Sequence, residues 1–155
     1  MPVLGDRDRQ ALSELFAKQL TGSITVDLFT QRTSPIVLPS SVQPSYDCQT
    51  CRETEELMRE VAALSDRVTL QVHDFVAEGE TARRAGVDRI PALVFRGKNK
   101  GTMRYFGAPA GYEFAVLVAG LLEAASGATS LAQATREQAA ALSSPVHIKV
   151  LVTPT

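Results

Sequence analysis

Two spacings of apolar residues alternate along the chain, one helical and one extended. In residues 6–20, Leu12, Leu15, Phe16 and Leu20 recur at helical intervals behind acidic and polar starters, which predicts an amphipathic helix closed by Gly22. Residues 24–30 (Ile-Thr-Val-Asp-Leu-Phe-Thr) are mostly apolar and rich in β-branched and aromatic types, the pattern of a buried, central strand. Ser and Pro dominate residues 31–47. Pro35, Pro39 and Pro44 block regular structure there, so this segment reads as a loop, long for a connection within a compact domain. Residues 51–64 carry Leu57, Val61 and Leu64 on one stripe and predict a helix with Cys48 and Cys51 at its start. A second strand is expected over 68–75 and a short helix over 78–85, stopped by Gly86. Pro91 then precedes an apolar run (92–95), a Gly97–Gly101 turn and residues 103–106, which together predict an antiparallel hairpin. Phe114, Leu117, Val118, Leu121 and Leu122 mark a helix over 111–125.

Beyond Gly127 an Ala-rich helix (131–142) leads to residues 146–152, where Val146, Ile148, Val150 and Val152 alternate as in a strand. The order strand, helix, strand, helix, hairpin, helix assembles into an α/β domain with a central mixed sheet flanked by helices. To it are added an extra N-terminal helix and a C-terminal helix–strand extension. Residues 1–127 are read as the domain and 128–155 as the extension. A lone terminal strand leaves its N–H and C=O groups unpaired. Residues 146–152 are therefore expected to add to a sheet edge, of the same domain or of a second copy, the latter making a two-fold homodimer.

Composition narrows the field. With 155 residues, 45% of them hydrophobic and 21% charged, one globular domain is expected. A formal net charge of −1 supplies no global field for nucleic acid or an anionic membrane, so neither is an expected partner. No apolar run approaches the roughly 20 residues of a membrane span, and residues 1–9 lack the apolar stretch of a secretory signal, so a cytoplasmic location is expected. Two cysteines cannot build a framework of several bridges, and a close pair among reduced thiols points to redox or metal chemistry.

Spacing decides between those chemistries. Cys48-Gln49-Thr50-Cys51 brings two sulfurs together within one turn at a helix start, near enough for a reversible disulfide. Cys48, facing the positive end of the helix, is the expected nucleophile, because unpaired N–H groups favour its thiolate. Cys51, one turn inside, is the expected resolving thiol. Asp47 would oppose thiolate formation and Arg52 would favour it, and the sequence does not rank them. A zinc site would need four ligands, and the remaining candidates, His73 and His147, lack a paired spacing. A purely structural bridge would close too small a loop to constrain the unfolded chain much. No metal and no organic cofactor is expected.

The motif Cys48-Gln49-Thr50-Cys51 after the first sheet strand, with Arg89-Ile90-Pro91-Ala92 before the hairpin, resembles the thioredoxin and glutaredoxin superfamily. More narrowly, Met103-Arg104-Tyr105-Phe106-Gly107-Ala108-Pro109-Ala110-Gly111-Tyr112-Glu113-Phe114 is similar to the N-terminal half of the two-module protein disulfide oxidoreductases, glutaredoxin-like proteins. The likeness covers residue 6 to about 126. It implies a thioredoxin-like fold and dithiol–disulfide exchange on protein substrates, with a reductase as partner. It also implies that Pro91 is a cis-proline beside the cysteine pair and that the backbone of Ile90 pairs with an extended substrate chain. Asp27 becomes a candidate buried proton acceptor, although strand alternation equally allows it a solvated strand end. Residues 146–155 resemble the first strand of a second module. The sequence departs from the superfamily in three ways. Gln49-Thr50 replaces the usual proline-containing pairs. No tryptophan is present, so Tyr46 alone can stand for the aromatic before the motif. The loop before Cys48 is long, and its Ile36-Val37-Leu38 reads either as a lid over the pair or as an insertion packed on the body. Arg96, Lys98, Lys100 and Arg104 around the hairpin read as a surface for an acidic partner or as a charge-guarded edge. The rival to an enzyme is a non-enzymatic thioredoxin-like interaction or redox-sensing module.

Overall fold

The computed structural model describes residues 3–31 and 48–152. Along the chain run α1 (Asp6–Gln19), β1 (Ile24–Thr30), α2 (Cys51–Ala62), β2 (Val68–Asp74), α3 (Gly79–Ala85), β3 (Ala92–Arg96), β4 (Met103–Phe106), α4 (Glu113–Ser126) and α5 (Gln133–Ala140). The strands form one mixed sheet in the order β2-β1-β3-β4, with β1 parallel to β2 and antiparallel to β3, and β3 antiparallel to β4. The segment 31–47 falls outside the described residues apart from Gln31 at its start, and with it Ile36-Val37-Leu38, Tyr46 and Asp47.

Alternation along the strands sorts side chains between two layers. Val26 and Leu28 of β1, with Leu93 and Phe95 of β3, join Leu12 and Phe16 of α1, Met58 and Val61 of α2, and Leu117 and Leu121 of α4 in one core. Phe29, Ala92 and Val94 on the opposite face pack with Ala82 and Ala85 of α3. Helices therefore cover both faces, α1, α2 and α4 on one and α3 on the other. Leaving the first core under-filled is expensive: Leu121→Ala in such a site costs about 2–5 kcal/mol.

Two glycines let backbone touch backbone. A Cβ on Gly22 would lie 2.1 Å from the Ala125 carbonyl oxygen, and one on Gly97 would lie 2.2 Å from that of Ala124. Between them, the Lys98 N–H donates to the Ala124 carbonyl at 2.7 Å, so the approach to β1 and the hairpin turn both dock on the end of α4. At the other end, Glu60 of α2 accepts the N–H groups of Val3 (2.7 Å) and Leu4 (3.1 Å) and the Arg9 guanidinium (3.0 Å). The Val3 N–H foremost, then Leu4 and Arg9, hold the Glu60 carboxyl below its usual range.

The C-terminal extension departs from expectation. Only Gln133–Ala140 is helical within the 131–142 window, and it buries no side chain. Residues 146–152 form no strand, and Val146, Ile148, Val150, Leu151 and Val152 are 61–91% exposed. The alternation specifies which side chains would share a face, but a strand exists only where a neighbouring backbone takes its hydrogen bonds. Neither edge of the four-stranded sheet supplies them, since β2 and β4 pair only inward among the described residues.

The Tyr105 hydroxyl donates to Glu113 Oε2 at 3.0 Å, tying β4 to the start of α4. Burial first, and this bond second, push the phenol up to about 12. A raised acid pKa favours the neutral form in the folded chain. Its stabilisation is full below the unfolded value near 10 and is lost as pH rises from there to about 12. In a 295 nm titration of the folded protein, Tyr105→Phe should remove the phenolate step at highest pH; an unchanged upper step would refute the assignment.

Candidate redox site

The site is assembled at the C-terminal end of β1. The Thr30 carbonyl accepts the Phe75 N–H at 2.9 Å, which anchors the strand's last residue to the chain leaving β2. Gln31 follows, and its side-chain Oε1 accepts the N–H of Cys48 at 3.2 Å, seventeen positions further along. From Cys48 a tight turn through Gln49 and Thr50 enters α2 at Cys51. Glu, Arg, Leu, Met and Ala fill α2 and favour the helix, and its stripe of Leu57, Met58 and Val61 presses on the sheet. The Thr50 side chain does not cap its start. The Thr50 carbonyl instead accepts both the Thr54 N–H (3.0 Å) and the Thr54 hydroxyl (2.8 Å).

Cys48 and Cys51 are joined in a disulfide, their Cα atoms 5.4 Å apart. Cys51 is 2% exposed, whereas Cys48 is only half-buried. The two residues of the pair thus differ in burial. Arg52, largely exposed, lies 3.8 Å from Glu56.

The Ile90–Pro91 peptide bond is cis. Ala92, next in the chain, is opposite Phe29 of β1 on one side and Phe106 of β4 on the other, and the Pro91 carbonyl accepts the Gly107 N–H at 2.9 Å. Pro91 thus stands one step beyond Phe29, at the same sheet end as Gln31 and Cys48. Ile90 is half-buried, and among the described residues its backbone N–H and C=O have no backbone partner. Beside it Arg89 pairs with Asp88 (2.9 Å) and lies 5.7 Å from the Phe106 ring centroid. That hydrogen-bonded guanidinium holds the Asp88 carboxyl below its usual range.

Asp27 is buried, 3% exposed, not at a solvated strand end. Its Oδ2 accepts the Arg96 guanidinium, and His73 Nε2 lies 3.6 Å from Oδ1. His73 stacks on Phe29 at 4.9 Å, and its Nδ1 lies 2.8 Å from Glu78 Oε2. That contact, with the Asp74 N–H, holds the Glu78 carboxyl below its usual range. Phe29 belongs to the α3 side of the sheet, so the Asp27 cluster and α2 occupy opposite faces. The hairpin cations are partly committed inward, Arg96 to Asp27 and Arg104 to the Ala85 carbonyl at 2.6 Å. Sequence reading did not find Gln31 or the partners of Asp27; the one available signal was a charged residue in an otherwise apolar central strand, which demands a counter-charge. Among the described residues no group of three or more His, Cys, Asp or Glu side chains is placed to hold a metal ion.

No protein-family model matches the chain, and no curated protein sequence matches it. Solved structures do. The alkylhydroperoxide reductase AhpF of Enterococcus faecalis (V583), as its C503A mutant, superposes with a TM-score of 0.70 at 21% identity over 90% of this chain and 61% of that one. A protein disulfide oxidoreductase from Aeropyrum pernix K1 gives 0.71 at 23% identity over 89% and 55%. The NTD_N/C domain of the E. faecalis AhpF gives 0.65 at 20% identity over 86% and 58%. The chain therefore has a thioredoxin-like fold, and it spans between 55% and 61% of the length of these structures.

The exposure difference makes a direct prediction. After reduction, alkylation with iodoacetamide at neutral pH and peptide mapping should find Cys48 labelled first and Cys51 at least about tenfold more slowly. Faster labelling of Cys51 would reverse their roles.

Proposed function

We propose that this protein is a thiol–disulfide oxidoreductase that exchanges protein disulfides through Cys48 and Cys51. One observation carries the reading: a disulfide at a helix start whose N-cap side chain makes no capping bond, with Cys51 buried and Cys48 partly exposed. The Cys48 thiolate attacks one sulfur of a substrate disulfide, forming a mixed disulfide and expelling the other substrate sulfur as thiolate. Cys51, deprotonated, then attacks the Cys48 sulfur. The Cys48–Cys51 bond forms and the second substrate thiolate leaves, so the substrate gains two electrons and the pair loses two. A dithiol reductase must return those electrons, which suits a thiol-reducing compartment such as the cytoplasm. Run backwards, the same steps oxidise a substrate dithiol.

In this reading the substrate chain lies extended against Ile90 and Pro91, the Ile90 backbone adding it as a strand. Among the described residues the N–H and C=O of Ile90 have no backbone partner at the sheet end that holds Cys48, which supports that placement. Asp27 has no step assigned to it, because its carboxylate is engaged by Arg96 and His73 on the face opposite α2.

Insulin reduction with dithiothreitol as electron source is the test. Wild type should precipitate the insulin B chain well above the dithiothreitol background, Cys48→Ser should fall to that background, and Cys51→Ser should accumulate mixed disulfides. Background activity from the wild type would favour the redox-sensing module instead.

We also propose that 128–155 is an extension whose apolar segment 146–152 pairs with a second copy, since neither edge of its own sheet takes it up. Sedimentation of the full chain should then show a dimer, and a chain ending at Gly127 a monomer. Two monomers would end this part of the proposal.

A further inference from the structure

We propose that Gln31 is a positioning residue that sets the strength of the Cys48–Cys51 disulfide. The inference rests on the reading of that pair as redox-active and adds the group that tunes it. Gln31 is the first residue beyond β1, held by a strand that is paired on both edges. Its Oε1 takes the Cys48 N–H at 3.2 Å across seventeen positions of sequence. Cys48 lies outside α2, so besides the disulfide to Cys51 this side chain ties the reactive cysteine to the end of a central strand.

A hydrogen bond shifts a redox equilibrium only by the difference between its strength in the two states. In the oxidised chain the bond to Cys51 already immobilises Cys48, so the donor is presented to Gln31 at little further entropic cost. After reduction that restraint is gone, so the Cys48 N–H would be presented to Gln31 at a larger entropic cost and the hydrogen bond made less fully. The tie therefore favours the disulfide. A net hydrogen bond of ordinary strength corresponds to about fivefold in an equilibrium constant. For a two-electron couple, fivefold is about 20 mV.

Two substitutions at this position act in opposite directions. Gln31→Met keeps length and volume but removes the acceptor, so the disulfide should weaken, by up to about fivefold if the bond is wholly lost on reduction, and the potential become more oxidising. Gln31→Glu keeps an acceptor and gives it a charge. That strengthens the bond to the Cys48 N–H and repels the Cys48 thiolate of the reduced form, so the disulfide should strengthen. A merely structural role for Gln31 would move both variants the same way.

The experiment equilibrates the full chain and both variants with glutathione redox buffers, quenches with acid, and counts free thiols by alkylation and mass. Amide exchange at Cys48 is followed in the oxidised proteins. The proposal expects a weaker disulfide with faster Cys48 exchange in Gln31→Met, and a stronger disulfide with protected exchange in Gln31→Glu. Equal constants in all three proteins, or shifts of one sign in both variants, would overturn it. Because the glutathione equilibrium needs no protein substrate, failure of insulin turnover with intact opposite shifts would sink only the enzymatic reading. Turnover with no shift would sink only the role of Gln31.

Discussion

The constraint on which the rest depends is the enclosure of β1. It has a strand on each edge and helices across each face, so nearly all of its seven residues are buried. Such a strand must be almost wholly apolar and fully paired, and it becomes the most rigid reference the fold has. The site hangs from its C-terminal end. Thr30 fixes the chain leaving β2, Gln31 fixes Cys48, and the register of Phe29 with Ala92 fixes Pro91. Each tie is one or two residues long, so little positional error accumulates between the strand and the chemistry.

Asp27 is the exception within that strand. A carboxylate taken out of water loses hydration worth several kcal/mol unless a partner compensates. Arg96 does so from β3 while keeping its own side chain 57% exposed, so one member of the pair remains hydrated. His73 of β2 stands 3.6 Å from Asp27 Oδ1, which has no hydrogen-bond partner among the described residues, with its other nitrogen directed to Glu78 and its ring on Phe29. One buried carboxylate is thereby met by groups from the strands on both sides, and the polar cluster reinforces a register already specified by the apolar pattern. Asp27 thereby links β1 through its carboxylate to residues of both neighbouring strands.

Helices and strands of the domain were legible because each carries its own period: Leu12 and Phe16 in α1, Leu57 and Val61 in α2, the unbroken run of β1. Gly86 marked its helix end for the same local reason, its φ of +69°. The cysteine spacing and the proline before the hairpin were also local signals. What escaped was set by pairs distant in sequence. Asp27 and Arg96 are 69 positions apart, and Gln31 and Cys48 seventeen, and neither relation leaves a trace in composition or periodicity. The segment 146–152 failed for a complementary reason: alternation encodes which side chains share a face, but the hydrogen bonds that make a strand belong to a partner.

The start of α2 joins stability to chemistry. Thr50 stands where a threonine hydroxyl commonly caps a helix, a contact typically worth about 1 kcal/mol. Its side chain does not cap, and its carbonyl is occupied by Thr54. The helix forgoes that stabilisation beside the Cys48–Cys51 disulfide. The loss is made up deeper in the helix, where Met58 and Val61 are fully buried against the sheet. Burying two such side chains contributes roughly 3–6 kcal/mol, several times what the missing cap would have added. The helix can therefore leave its first turn open because its middle, not its end, holds it in place.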